Sequence, residues 1–242
     1  MKTKNERVIY MDSGKSISYA FEDENWLSKL GIGALISLVP ILNFAWLGYL
    51  VDIMRNVSDG QAEPLPGWDE LGEKFTKGLY ISIAGLIYSL PGLLFLCLPF
   101  GFILIPLFSE YQDLQQALTI GASLASVAMF CCIGFYFLLF SFIFPAVNLN
   151  FARQGTFQAC FRLREIIGLI TTHTGDYLIA WLVAIVAGLA ITVLLGIIGL
   201  ILGWIPCLGQ ILLWAVGAIA GAYTGAVYAH LFGQIGTVTP AA

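Results

Sequence analysis

From residue 177 to residue 242 the chain runs for 66 positions without one Asp, Glu, Lys or Arg. Three other stretches share the property: residues 30–51, 78–109 and 114–152. About 20 apolar residues of helix cross a hydrocarbon core about 30 Å thick. The last stretch can therefore hold two crossings and each of the others one. A soluble domain covers its surface with roughly 25% charged residues. This chain has 11%, and its mean hydropathy is +0.86. The pattern predicts an all-α polytopic membrane protein.

The first residues, MKTKNERVIYMDSGKS, are polar and mixed in charge. They lack the apolar core and small-residue cleavage site of a secretory signal, so the expected start is cytoplasmic, with insertion through internal segments. A net charge of -4 suggests no nucleic acid partner. Cys97, Cys131, Cys132, Cys160 and Cys207 form no CxxC pair and no metal spacing. Four lie in or beside apolar runs, where a free thiol behaves as a small hydrophobe.

The segmentation reads as a polar tail over residues 1–15, a single membrane domain over 16–235 and a tail over 236–242. Spans are expected at about 79–104, 115–145, 177–203 and 210–232. Residues 110–113 form a short acidic turn, and GWIPCLGQ joins the last two spans. Three stretches are amphipathic and suit the membrane interface: residues 16–30, a short piece marked by Trp68, Leu71, Phe75 and Leu79, and residues 151–170 with Arg153, Arg162 and Arg164.

Residues 27–54 pose the topological question. Pro40 sits centrally and removes a backbone donor, and Asn43 follows it. The stretch is either one kinked span or a re-entrant hairpin, and charge decides between them. The 11 Lys and Arg fall in three segments only: five in residues 1–29, three in 52–77 and three in 153–176. Basic residues accumulate on the cytoplasmic side of short loops. A crossing would divide them five against six. A hairpin puts all 11 on one face, with both termini cytoplasmic. An internal echo agrees, since LISLVPILN resembles the helix–helix connection LILGWIPCLG. The expected architecture is four transmembrane helices plus a re-entrant or kinked N-terminal hairpin.

Chemistry is sparse. Asp52 and Arg55 close the hairpin segment, where snorkelling to the interface accounts for them. His173 reads as a solvated loop residue. His230, without a second ligand in sight, reads as a hydrogen-bonded packing residue. Gly14-Lys15-Ser16 resembles the end of a phosphate loop, but Ile9 stands where that motif needs glycine. Asp59, Glu63, Asp69, Glu70 and Glu73 read as a solvated acidic loop. No catalytic set, cofactor site or metal site is expected. The candidate hairpin and packing residues are Pro40, Asn43, Gly217, Gly221, Gly225 and His230. The three glycines recur every four residues beside Ala218, Ala222, Ala226 and Ala229, a ribbon that lets helix backbones approach closely in lipid.

Several short motifs occur in a recognisable order: Phe21-Glu22-Asp23 with Trp26, Pro40-Ile41-Leu42-Asn43-Phe44, Gly48-Tyr49, Leu65-Pro66 with Trp68, and Phe75 with Gly78. Phe161-Arg162, Gly175-Asp176-Tyr177 and His230-Leu231-Phe232-Gly233-Gln234 follow. Over residues 19–235 the chain resembles the domain-of-unknown-function 4013 family of prokaryotic membrane proteins. Members often carry Pro where Glu24 stands. The resemblance implies a prokaryotic membrane protein and supplies no activity, ligand or catalytic residue. The expectation is a non-enzymatic protein of the cell (inner) membrane, contacting lipids and a partner membrane subunit or a second copy of itself. Its role would be accessory, assembly or membrane-organising. The alternative is a small channel or transporter for an uncharged or anionic solute, with Asn43 at the broken hairpin.

Overall fold

A computed structural model describes residues 12–104, 112–205 and 207–238. Among them every regular element is helical. In order these are α1 (Ser13–Ser18), α2 (Trp26–Ser37), α3 (Asn43–Ser58), α4 (Leu71–Leu104), α5 (Gln112–Gln154), α6 (Leu163–Thr172), α7 (Thr174–Leu202) and α8 (Leu208–Val238). Short 3-10 turns occupy Tyr19–Glu22 and Phe157–Phe161. Four helices contain membrane-length apolar spans: Leu71–Gly101, Leu118–Gln154, Thr174–Leu202 and Leu208–Thr237. These are the four expected crossings. Residues 110 and 111 of the expected acidic turn, and Pro206 in the last connection, lie outside the described residues, while residues 112 and 113 begin α5 rather than a turn.

The chain divides into two compact units. One comprises residues up to Ser82 and from Ala146 onward, the other Ile83–Pro145.

In the first unit, residues 27–54 double back. The helix stops at Ser37, and Pro40 lies in the turn that the Asn43 amide closes on the Val39 carbonyl at 2.9 Å. Gly33 and Trp46 meet across the hairpin: a Cβ on Gly33 would lie 2.4 Å from the Trp46 ring. At 1.5 Å per residue, the 12 residues of α2 reach about 18 Å, short of a crossing. Leu38, Val39, Ile41 and Leu42 leave the tip apolar and exposed.

Three registers orient this unit. Along α3 and α8, Trp46 and Leu50 meet Gly225, Met54 and Val57 meet Gly233, and Ser58 meets Gly236. Both numbers rise together, so the two helices run parallel. The N-terminal segment runs antiparallel to α8, with Asp12 at Gln234, Ser16 at His230 and Tyr19 at Ala226. Leu149 also meets Gly236, and Tyr177 packs against Phe232 with centroids 5.6 Å apart. The described parts of all three basic segments therefore gather at the C-terminal end of α8, as the hairpin topology requires.

Two expected interfacial helices are broken in the structure. Residues 16–30 are divided among α1, a 3-10 turn and α2, because Asp23 and Asn25 form a local turn: the Asn25 amide donates to Asp23 Oδ1 at 2.8 Å. Residues 151–170 likewise split into the end of α5, a 3-10 turn and α6. Gly155, at φ +68°, ends α5 in the left-handed region that glycine tolerates. α4 stays helical through Pro91 and Pro99 to Leu104.

In the second unit α4 and α5 form an antiparallel pair. Gly85 faces Phe144, and Gly92 faces Tyr136 and Phe137. Tyr136 Oη donates to the Tyr88 carbonyl one turn before Pro91, and Ser126 Oγ donates to the Pro99 carbonyl at 3.2 Å. Both interhelical bonds land beside the prolines that interrupt the α4 ladder, where neighbouring side chains commonly make up the lost polar contacts.

Candidate functional site

The side chains that tie the first unit together fall in four sets. The first straps the N-terminal segment to α8. Asp12 accepts from the Lys15 amide at 2.9 Å and so caps α1. Its own amide donates to Gln234 Oε1 at 2.8 Å, and Gln234 Nε2 donates to Ser16 Oγ at 2.9 Å. His230 is buried, its Nδ1 3.1 Å from both Ser16 Oγ and Gln234 Nε2. Its ring stacks on Tyr19 at 4.0 Å. Burial pushes the Tyr19 phenol well above its ordinary range, so it remains the neutral donor that reaches the Ala226 carbonyl at 3.0 Å.

The second set is an aromatic stack behind the hairpin. Trp46 fills the space between Gly33 and Gly225. Tyr49 stacks on it at 5.3 Å and on Trp68 at 4.4 Å, nearly parallel to the latter. Trp68 Nε1 donates to the Lys29 carbonyl at 2.9 Å. Lys29 Nζ is 2.5 Å from the buried Asp23 carboxylate and 2.9 Å from the Leu65 carbonyl. These bonds lace the loop before α4 onto the start of α2. The Tyr49 hydroxyl is buried with no hydrogen-bond partner among the described residues.

The third set is charged. A Cβ on Gly48 would lie 1.7 Å from the Lys74 carbonyl oxygen, and one on Gly78 would lie 1.7 Å from the Phe44 carbonyl oxygen. α3 and the start of α4 therefore touch backbone to backbone, and side chains one turn along are pressed together. Asp52 Oδ1 holds Lys77 at 2.6 Å, and its Oδ2 lies 3.5 Å from Lys74. Lys77 also pairs with Glu73 at 2.7 Å. A polar cavity of about 420 Å³ opens beside them, lined also by Arg55, Asn56, Asp59, Gln61, Asp69 and Glu70.

A fourth cluster fixes the break after α5. Asn150 donates to the Ala159 carbonyl at 2.9 Å and to Glu165 at 3.1 Å, and Gln154 donates to both Asn150 and Glu165. These bonds, Gln154's foremost, hold the Glu165 carboxyl below the usual carboxylate range. Cys160 is the buried cysteine, and burial pushes its thiol up to about 11. The other four cysteines are exposed.

The structure does not bring the expected residues to one place. Pro40 and Asn43 lie at the hairpin tip, while His230 lies near the other end of the unit. Gly225 receives Trp46 and Leu50, but Gly217 and Gly221 face open space. His173, expected in solvent, is half-buried with Nε2 enclosed. Asp52 is an ion-pair centre rather than a snorkelling residue. Sequence reasoning also passed over Lys74 and Lys77. The available signal was their spacing of three residues just before a charge-free run, with Gly48 one turn before Asp52. Among the described residues no group of three or more His, Cys, Asp or Glu could hold a metal ion.

Four apolar helices, a hairpin and a polar layer at one end define the class: a multi-pass α-helical membrane protein. Residues 32–200 match the family described as protein of unknown function DUF4013, and the chain belongs to that family. Neither the curated proteins nor the solved structures contain a match.

Proposed function

We propose that this chain is a non-enzymatic subunit of a prokaryotic cell (inner) membrane, with both termini cytoplasmic, that organises or assembles membrane components by helix packing. The contrast along α8 carries the reading. Gly225, Gly233 and Gly236 are filled by α3, whereas Gly217 and Gly221 are open, with exposed Trp214 on the same face. A small-residue face left uncovered in a spanning helix is one on which another membrane helix can settle at backbone distance. A partner membrane subunit or a second copy of this chain would supply that helix. The gathering of basic segments at one end supports the cytoplasmic placement. The engagement of the polar groups in bonds between elements favours packing over catalysis.

Purification in mild detergent with cross-linking tests the assignment. The wild-type chain is expected to retain a protein partner or dimerise, and G217I/G221I to lose that partner while remaining folded. A lone monomer from wild type, with no co-purifying protein or lipid, overturns it. The channel alternative would place solute at the broken hairpin. Behind that hairpin stand the packed rings of Trp46, Tyr49 and Trp68. Proteoliposome flux well above background would replace the packing reading with the channel one.

A further inference from the structure

The cavity beside Asp52 holds more charge than joining two helices requires. The Lys74 side chain is 6% exposed, and its ammonium carries three donors. Among the described residues its one ion-pair contact is Asp52 at 3.5 Å, and it donates no hydrogen bond. Lys77 holds the other oxygen of that carboxylate, Oδ1, at 2.6 Å, so Asp52 is shared between the two lysines. The side chain is buried but its nitrogen is not enclosed, and Lys74 lines an open cavity, so a partner there can reach its free donors. A negatively charged oxygen of a ligand would complete its shell.

The rest of the lining defines what else that ligand carries. Five carboxylates, Asp52, Asp59, Asp69, Glu70 and Glu73, outnumber the three cations Arg55, Lys74 and Lys77. Asp69 and Glu70 are exposed and have no ion-pair partner among the described residues. A simple anion would enter a negative field, and the carboxylates do not converge as a metal ion requires. A phosphate ester bearing a primary ammonium satisfies both ends of the site. The depth is also informative. Lys77 is the last charge before the charge-free residues 78–109, which puts the lysine pair at headgroup level. A volume of about 420 Å³ falls within the range of small-ligand sites.

We propose that this cavity binds the phosphoethanolamine headgroup of a membrane lipid. The phosphate sits against Lys74 and Lys77, and the primary ammonium sits against Asp69 and Glu70. The site stands apart from the α8 glycine face, so this proposal and the packing role fail separately: loss of headgroup preference leaves the partner test untouched.

Native mass spectrometry of the full chain, released from micelles holding equal amounts of phosphatidylethanolamine, phosphatidylglycerol and phosphatidylcholine with identical acyl chains, is the test. Phosphatidylethanolamine should be retained about tenfold over the other two, the effect of one charge-assisted hydrogen bond. Phosphatidylglycerol lacks the ammonium, and phosphatidylcholine lacks its N–H donors. Lys74→Met should reduce retention of all three lipids. If that variant fails to fold, D69N/E70Q alters only exposed side chains and should erase the preference over phosphatidylglycerol. Equal retention by wild type, or a preference unchanged in D69N/E70Q, overturns the proposal. Full displacement by soluble glycerophosphoethanolamine at equal concentration would overturn the lipid as the source of the headgroup.

Discussion

The two units contain the same kind of interface, a glycine on one helix facing a neighbour, and solve it differently. In the first unit Gly48 and Gly78 meet carbonyl oxygens of the opposing backbone. Such contacts admit no side chain, and they force Asp52, Lys74 and Lys77 into a shared, largely buried space beside the polar cavity. In the second unit Gly85 and Gly92 meet the rings of Phe144, Tyr136 and Phe137. Rings can turn or shift, and the pair borders a half-open apolar cavity of about 320 Å³ lined by Phe95, Leu98, Met129 and Ile133. Backbone contact with buried charge specifies one register. Ring contact in lipid leaves slack.

The comparison breaks first at Gly48. Gly48→Val places a branched side chain on the Lys74 carbonyl, and overpacking of this kind costs about 3 kcal/mol or more when backbone must move. The α3–α4 contact should separate and take the charged cavity with it. Thermal unfolding in micelles, followed by circular dichroism, should show a large loss, with Gly92→Ala in the second unit losing much less. Comparable losses would remove the distinction between the units.

Asp52→Asn is the next largest change. It leaves Lys74 and Lys77 facing each other without their shared carboxylate, and breaking a buried pair costs about 3 kcal/mol when solvent is fully excluded. Lys77 is 19% exposed and retains Glu73, so about 2 kcal/mol is expected. Pairing this change with Lys74→Met should recover part of the loss, since the double variant buries one cation fewer. No recovery would mean that Asp52 acts through other contacts.

These residues also mark where the sequence was legible. The four spans and the hairpin could be read because lipid excludes charge along whole segments and because Lys and Arg report the side on which they lie. The cluster around Asp52 could not. Its burial depends on Gly48 and Gly78 bringing two helices together from positions 30 residues apart, and a single chain of letters does not show which glycines will be filled. The same limit misdirected the reading of α8. Its four-residue glycine spacing drew attention to Gly217 and Gly221, while α3 presses closest on Gly233 and Gly236, where the spacing is three. His230 was readable as a packing residue, but its partners Ser16 and Tyr19 lie more than 200 positions away.

A smaller effect tests the slack assigned to the second unit. Tyr136→Phe removes the hydroxyl that donates to the Tyr88 carbonyl and leaves the ring that faces Gly92 in place. A hydrogen bond between helices in lipid contributes about 1 kcal/mol, so a modest fall in melting temperature is expected. A loss as large as that of Asp52→Asn would show that the α4–α5 pair is pinned by this bond rather than by its rings.

The least effect at neutral pH is expected from Glu165, and its sign follows from its surroundings. Hydrogen bonds from Gln154 and Asn150 lower its folded pKa, so the stabilisation is present above the unfolded value of about 4.3 and fades as pH falls through the folded one. Glu165→Gln cannot lose a charge in acid. Its melting temperature should therefore lie slightly below wild type at pH 7 and fall less steeply between about pH 5 and pH 3, so that the two proteins converge in acid. Because this cluster closes the break at Gly155, the acid limb reports on the polar end of the first unit alone. If the two proteins lose stability in parallel across that range, the Asn150–Gln154–Glu165 bonds do not hold the break, and the polar end is less tightly specified than its buried ion pairs suggest.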